Sequence, residues 1–343
     1  MDSMKIHQLK IRGFKSIGEI VLDSPNPFSV FVGANGAGKS NIFEALEFLN
    51  YCSAMSPDLA VRYFGNATDI INQNVTQAEN YIQFEIDLGK IKPELTLTPF
   101  YTPEPSAFHH RSISFGEFYY KTNSSEKNLT SKISEYLHLI HFTRLFVGKI
   151  SLLKRNTQDD SQIAIDASNL EKILKRIFQD QKVKEEIVEI LQLLVPGFDS
   201  LEIRSEELSG TDSLLVYEKN LKKPLTKRLI SDGTYNILAI LAAIYQSDRP
   251  QFLCIEEPEN GLNPKVVREL VNIIRNQCEE NGHYIWLNTH SQTLVSELLP
   301  KEIILVDKVN GMTQTKQVSG MDLHGLKMDE ALMTNSLGGG IPW

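Results

Sequence analysis

Near the start of the chain, Gly33-Ala34-Asn35-Gly36-Ala37-Gly38-Lys39-Ser40 fits the spacing G-x-x-x-x-G-K-[ST] in full. Each residue type has a task in holding a polyphosphate. Glycines let backbone N–H groups turn inward around phosphate oxygens, and a following helix N-terminus adds positive partial charge. Lys39 reaches the outer phosphates, and the Ser40 hydroxyl ligates Mg²⁺. The plainer reading is a glycine turn that happens to precede a helix. Much later, Phe252-Leu253-Cys254-Ile255 runs straight into Glu256-Glu257-Pro258. A buried strand ending in two carboxylates sends one to each side of the sheet end. Beside a phosphate cradle, Glu256 can hold Mg²⁺ through water and Glu257 can polarise an attacking water. On their own, adjacent carboxylates are usually surface. His290 lies just past Tyr284-Ile285-Trp286-Leu287-Asn288-Thr289, where a γ-phosphate sensor would sit, because ligands collect outside the carboxyl ends of parallel strands. A lone histidine is more often structural. Ser231-Asp232-Gly233 precedes an apolar helix, which makes it an N-cap first and an anion site second.

These groups need elements to position them. Ile6, Leu9 and Ile11, then Ile17, Ile20 and Leu22, then Phe28, Val30 and Val32 alternate as three short strands. The spacing of Ile42, Phe43, Leu46 and Leu49 predicts a helix starting near Lys39, and Tyr81–Leu88 predicts a further strand. Residues 91–135 are polar and turn-rich and read as loops with one strand near 113–120. Apolar residues from Asn169 to Leu194 repeat at three and four, as an amphipathic helical pair broken around Asp180–Gln181 and ended by Pro196–Gly197. Leu201–Ile203 and Leu214–Tyr217 suggest a strand pair. Thereafter helix and strand alternate: helices over Ile237–Tyr245, Val266–Ile274 and Gln292–Leu298, strands at Phe252–Ile255, Tyr284–Leu287 and Ile303–Val306. That alternation predicts a parallel, helix-covered sheet.

Composition narrows the function classes. The 343 residues are 41% hydrophobic and 23% charged, an ordinary globular balance that excludes bulk disorder, collagen and a coiled-coil rod. No run of about 18 apolar residues occurs, so no spanning helix is expected. The first residues, MDSMKIHQLK, lack the apolar core of a signal peptide. Cys52, Cys254 and Cys278 stand singly, which argues against a disulfide scaffold or structural zinc and fits a reducing cytoplasm. The net charge of −8 is a mild argument against passive coating of nucleic acid. Local basic stretches remain: Lys219, Lys222, Lys223, Lys227 and Arg228, and, on the helical pair, Lys172, Lys175, Arg176, Lys182 and Lys184. The helical set is offset by Glu171, Glu185, Glu186 and Glu189 and reads as a solvated face; the 219–228 stretch is open between a solvated face and a DNA or RNA contact. His109 and His110 read as loop residues, and Trp343 as either a partner anchor or a residue packed back on the chain.

The motifs occur in the order IRGFKSI, GANGAGKSN, LISDGT, FLCIEEPENGLNP and NTHS. In that order they resemble the RecF/SMC/OLD-type branch of the ABC ATPases, and more narrowly the short stand-alone ATPases of bacterial anti-phage and toxin-like operons, such as the ATPase subunits of Septu or PARIS systems. The motifs cover about 1–90 and 200–300, and the helical region 169–198 fits in its general pattern. The resemblance implies an α/β fold: an ABC-type P-loop NTPase head with N-terminal antiparallel strands, a parallel core sheet and a mainly helical inserted lobe. The head would comprise 1–90 and 200–343, and the lobe 91–199.

The resemblance also implies roles. Arg12 and Lys15 would lie near the base and α-phosphate of ATP. Gly33 to Asn41, including Asn35, Gly36, Ala37, Gly38, Lys39 and Ser40, would be Walker A. Ser231, Asp232 and Gly233 would form the signature loop that addresses ATP on a second subunit. Glu256 would take the Walker B metal position beside Ser40, Glu257 the catalytic base, Asn260 to Asn263 the D-loop, and His290 the switch histidine. ATP with Mg²⁺ would then be sandwiched in a homodimer or higher homo-oligomer, and hydrolysis would loosen it. Several departures stand out. Glu256 replaces the usual Asp, Asn263 replaces the usual D-loop acid, and the signature is a variant. The best Q-loop candidate, and a candidate Mg²⁺ contact, is Gln73, for which a polar surface loop is the plainer reading. No heptad arms or hook cysteines lie between 91 and 200, and the roughly fifty residues after His290 carry no acidic cluster suited to an OLD-type nuclease. The expected function is a cytoplasmic ATPase switch that controls a separate nuclease or toxin-like effector in anti-phage defence, with nucleic acid as a candidate trigger. A RecF-like repair ATPase without an effector shares every motif. A transporter subunit fits less well, for lack of a clear Q-loop, and a scaffold without turnover conflicts with intact Lys39, Glu257 and His290.

Overall fold

The computed structural model describes residues 5–54, 57–74, 81–89, 92, 94–97, 99–101, 113–115, 142–146, 161–206, 211–321 and 330–331. They fall into two compact units, Met1–Phe142 with Leu298–Trp343, and Thr143–Glu297.

The first unit opens with β1 (Gln8–Arg12), β2 (Glu19–Asp23) and β3 (Phe28–Val32). Helices α1 (Lys39–Ala54), α2 (Pro57–Tyr63) and α3 (Ala67–Ile70) follow, then β4 (Ile82–Asp87), β5 (Glu94–Leu97), β6 (Pro99–Tyr101) and β7 (Ile113–Phe115). β2, β1, β4 and β5 form an antiparallel sheet in that order. Its register sets Leu9 against Leu22 and Ile86, and Ile11 against Ile20 and Phe84, so the period-two apolar pattern lands on one buried face. Phe14, Phe48 and Phe84 pack against that face with ring centroids 5.4–6.5 Å apart. All five residues of β3 are buried, including Ser29, whose hydroxyl donates to the Asn26 carbonyl at 2.6 Å. Strands β5 and β6 lie in a stretch whose composition predicts loops; β7 matches the start of the strand expected near 113–120. His109, His110, residues 116–120 and Trp343 lie outside the described residues.

The second unit carries β8 (Phe142–Phe146, with Thr143 onward in this unit), α4 (Leu170–Ile177), α5 (Gln181–Leu194), β9 (Phe198–Glu206), β10 (Thr211–Glu218) and β11 (Leu225–Thr226). Next come α6 (Asp232–Tyr245), β12 (Phe252–Glu256), α7 (Pro264–Asn281), β13 (Tyr284–Thr289) and α8 (Gln292–Val295). Asp180 caps α5 by accepting from the N–H groups of Lys182 and Val183, which is why the helical pair breaks there. β12 and β13 pair in parallel, with Ile255 beside Leu287 and Glu256 beside Asn288. α6 is apolar on every side from Ile237 to Ile244 and is buried accordingly. α8 is shorter than the predicted Gln292–Leu298 helix.

The chain then returns to the first unit with β14 (Ile303–Val309) and β15 (Met312–Gln317). β14 runs parallel to β3, with Ile303 beside Val30, whereas β15 is antiparallel to β14. The parallel sheet expected from the sequence is therefore mixed. The reason is a two-residue Asn310-Gly311 turn, whose residues both take positive φ, 50° and 79°.

Candidate functional site

In the first unit the phosphate loop joins β3 to α1, as its motif demands. Its first glycine lies so close to β14 that a Cβ would meet the Val306 carbonyl at 2.1 Å. Lys39 begins α1 and folds back over the loop, its Nζ donating to the carbonyls of Gly33 (2.7 Å) and Ala34 (3.0 Å). Asn35 and Gly36 are exposed at the tip, and Ser40 is half-buried. Asn41 Nδ2 donates to Ser16 Oγ at 2.6 Å. Arg12 lies on β1, 3.7 Å from Glu19 and stacked 4.7 Å from the Tyr81 ring. Lys15 adopts a positive φ of 48° and is ion-paired with Glu44 of α1. Gln73 sits beyond α3, where its amide donates to the carbonyls of Thr68 (2.7 Å) and Ile71 (3.4 Å) in an exposed polar loop.

In the second unit the ends of β12 and β13 are laced together. Glu256 is 1% exposed and ion-paired with buried Arg144 of β8, whose Nε donates to Oε1 at 2.6 Å. Asn288 Nδ2 donates to the other Glu256 oxygen at 3.1 Å. Glu257 takes a positive φ of 49°, and its N–H donates to both the backbone and side-chain oxygens of Asn288. That strained turn swings its half-buried carboxylate toward Asn260, which donates to it at 2.9 Å, and toward His290, whose Nδ1 is 3.7 Å away. Two residues on, Glu259 accepts from Thr289 Oγ1, while its second oxygen is buried with no hydrogen-bond partner among the described residues. Burial raises the Glu259 carboxyl above the usual range.

Ser231 is the N-cap of α6, its Oγ accepting from the Thr234 N–H at 3.2 Å, with Asp232 exposed beside it. Gly233 packs against the Asn260–Asn263 loop so tightly that a Cβ would meet the Gly261 carbonyl at 2.5 Å. Asn236 Nδ2 donates to the Asn260 carbonyl at 2.9 Å. Asn263 caps α7, its Oδ1 accepting from the Val266 N–H at 3.1 Å. Within this unit the structure therefore brings together Glu257, Asn260 and His290, and links the Ser231–Gly233 turn to the Asn260–Asn263 loop. Arg144, Asn288, Glu259, Thr289 and Asn236 complete the cluster and were not among the predicted site residues. Four of these five sit in or beside the quoted motifs; Arg144 carries no sequence signal.

The motifs supply an oxygen donor in each unit, the Ser40 hydroxyl in the first and the Glu256 carboxylate in the second, and oxygen suits a hard cation such as Mg²⁺. Among the described residues no group of three or more His, Cys, Asp or Glu could hold a metal alone. A cation on either donor would need phosphate oxygens and water to complete its shell, as Mg²⁺ does on nucleotides. No helix of the described residues is long and apolar enough to cross a membrane.

Residues 28–296 match the family described as "AAA domain, putative AbiEii toxin, Type IV TA system". An ATP/GTP phosphatase of Helicobacter pylori is 22% identical over 330 residues, 85% of this chain and 87% of that protein. The DNA replication and repair protein RecF of Flavobacterium johnsoniae is 23% identical over 250 residues, 64% of each chain. Shorter matches reach transporter ATP-binding proteins, of whose length the chain spans 29–38%. Among solved structures, an SMC head bound to the C-winged helix domain of ScpA superposes with a TM-score of 0.61 at 18% identity, covering 95% of this chain and 98% of the other. The Pyrococcus furiosus SMC head with an extended coiled coil, bound to the C-terminal domain of ScpA, gives 0.56 at 17% identity, covering 97% and 98%. The fold is that of an SMC head, an ABC-type ATPase head with N-terminal antiparallel strands.

Proposed function

The chain belongs to the AAA domain family that its residues 28–296 match, and from that premise we infer that it binds and hydrolyses ATP as a switch assembled from two copies. The observation that carries this reading is the complete Gly33–Ser40 motif at a strand-to-helix junction, with Lys39 drawn over the loop carbonyls. Gly33 to Asn41 would cradle the phosphates, with Arg12 and Lys15 toward the base and α-phosphate. Mg²⁺ would be held by Ser40 and, through water, by Glu256, and would neutralise charge that develops on the phosphoryl group. Glu257 would orient the attacking water, and its contact with Asn260 and proximity to His290 suit it to that role. His290 would sense the γ-phosphate. The Ser231–Gly233 turn would address the ATP of the partner copy through its helix N-terminus, and the Gly233–Gly261 packing would pass the change to the Asn260–Asn263 loop.

The output of such a switch would be control of a separate nuclease or toxin-like effector in anti-phage defence. The family's description, with its AbiEii toxin and Type IV TA system, supports a toxin-linked role. A RecF-like repair ATPase is the alternative, supported by the RecF relative. An effector that copurifies favours the first; DNA-end binding by the lone ATPase favours the second. Glu257→Gln tests the core of the reading. We expect ATP hydrolysis to fall about 10²-fold or more, with ATP-bound dimers accumulating in multi-angle light scattering. Hydrolysis at the wild-type rate would remove Glu257 from its role, and a monomer at saturating ATP would remove the sandwich.

A further inference from the structure

The phosphate loop is held from behind by a relay of hydroxyls whose direction can be assigned. Thr313 on β15 is fully buried. Its Oγ1 lies 2.9 Å from the Ala37 carbonyl, which can only accept, so Thr313 donates there. Asn41 Nδ2 can only donate, so Ser16 Oγ accepts from it at 2.6 Å. The remaining contact, Ser16 Oγ to Thr313 Oγ1 at 2.7 Å, then has one consistent sense, from Ser16 to Thr313. The chain of donors runs Asn41, Ser16, Thr313, Ala37 carbonyl. The backbone reinforces it, because the Thr313 N–H donates to the Ser16 carbonyl at 2.7 Å.

This relay fixes one peptide of the cradle. In a planar trans peptide the carbonyl and the following N–H point in opposite directions. Drawing the Ala37 carbonyl toward Thr313 therefore aims the Gly38 N–H away from it. Gly38 itself has a φ of 103°, and a Cβ on it would meet Thr313 Oγ1 at 1.9 Å and Ser16 Oγ at 2.8 Å. The two hydroxyls occupy the space a side chain at Gly38 would need, which is a reason for glycine there apart from its φ.

We propose that Thr313 and Ser16 are positioning residues for the polyphosphate, a hydroxyl relay that presets the Ala37–Gly38 peptide for an anion before the nucleotide arrives. The assignment rests on the nucleotide-binding reading above. Preorganisation of this kind acts on binding and leaves the chemical step alone. The test measures the Kd of a fluorescent ATP analogue, KM and kcat for ATP, and thermal unfolding in the full chain. Thr313→Val keeps the shape and removes the donor; we expect Kd and KM to rise about ten-fold, since a buried carbonyl loses its partner, with kcat within about two-fold. Thr313→Ser should restore both, and Ser16→Ala should raise Kd less than Thr313→Val. The double variant should resemble Thr313→Val alone, because both hydroxyls serve one relay. Wild-type Kd in Thr313→Val, or failure of serine to rescue it, overturns the inference while leaving nucleotide binding intact. A wild type that binds no nucleotide overturns both. Should Thr313→Val unfold, Ser16→Ala decides: a Kd equal to wild type refutes the relay.

Discussion

Glu256 and Arg144 meet as a charge pair almost wholly out of water, at 1% and 6% side-chain exposure. Such a pair contributes little over an apolar substitute, but breaking it strands a buried charge. Arg144→Met should lower unfolding free energy by about 3–5 kcal/mol, read from urea unfolding; a loss below about 1 kcal/mol would mean that Glu256 finds other compensation. Arg144 shows where residue-level reading stops. It lies 112 positions from its partner, on a strand with no motif. Lys39, Glu257 and His290 were legible because each sits at a strand or helix end that the apolar pattern had already marked. His283 offers a second residue-scale prediction. It is 2% exposed, its Nδ1 lacks a partner among the described residues, and burial lowers its pKa from 6.5 to about 4. Below pH 6.5 the unfolded chain takes up a proton that the folded chain refuses. Stability should therefore fall as pH drops from about 6.5 toward 4, by roughly 2–3 kcal/mol from this group. His283→Asn should flatten the unfolding free energy against pH in that window; an identical slope would show that His283 is not the group responsible.

At the scale of elements, helix starts were the most readable feature. Asn263 departs from the acid expected by resemblance, and its local geometry explains the choice: it accepts from the Val266 N–H ahead of Pro264 at the first helical position. Asn and Asp cap equally well. Asn263→Asp should leave stability unchanged, while Asn263→Ala should cost about 1 kcal/mol by thermal denaturation. An unshifted melting temperature in Asn263→Ala would show that the side chain is kept for another purpose. The β14–β15 hairpin was equally legible in principle, since Asn310-Gly311 between two strand-forming runs is a strong short-range hairpin signal. It went unread because β15 is polar: Met312-Thr313-Gln314-Thr315-Lys316-Gln317 shows little apolar alternation. Its Thr313 is buried through hydroxyl bonds, which hydrophobic periodicity does not register. Along β5, Leu95 and Leu97 do alternate with Thr96 and Thr98, but Pro93 and Pro99 on either side read as turn punctuation and hide the signal; β6, which begins at Pro99, is too short to show a period.

At the scale of the whole chain, the order of motifs was enough for an ABC/SMC/RecF-type ATPase and its head fold, while the narrower link to anti-phage operons stands as a proposal. Motif order could not show that segments near opposite ends, β3 and β14, pair within one compact unit. Whole-chain charge bears on the last question, the trigger. A net charge of −8 opposes general attraction to polyanions, so any nucleic-acid contact must be local. Between β10 and α6 the chain carries Lys219, Lys222, Lys223, Lys227 and Arg228. The structure takes Lys227 out of that set by pairing it with Glu171 at 3.0 Å and stacking it on Tyr235. Lys219, Lys222, Lys223 and Arg228 remain exposed, with no acidic partner among the described residues. If these four meet duplex phosphates, log affinity should fall with log salt at a slope near −0.9 per contact, so raising salt from about 50 to 200 mM should weaken binding on the order of 10²-fold. Changing all four to Gln should abolish that salt dependence and most of the binding in fluorescence anisotropy. Binding indifferent to salt, or retained in full by the quadruple variant, would exclude this stretch as the contact and turn the search for a trigger toward a protein ligand.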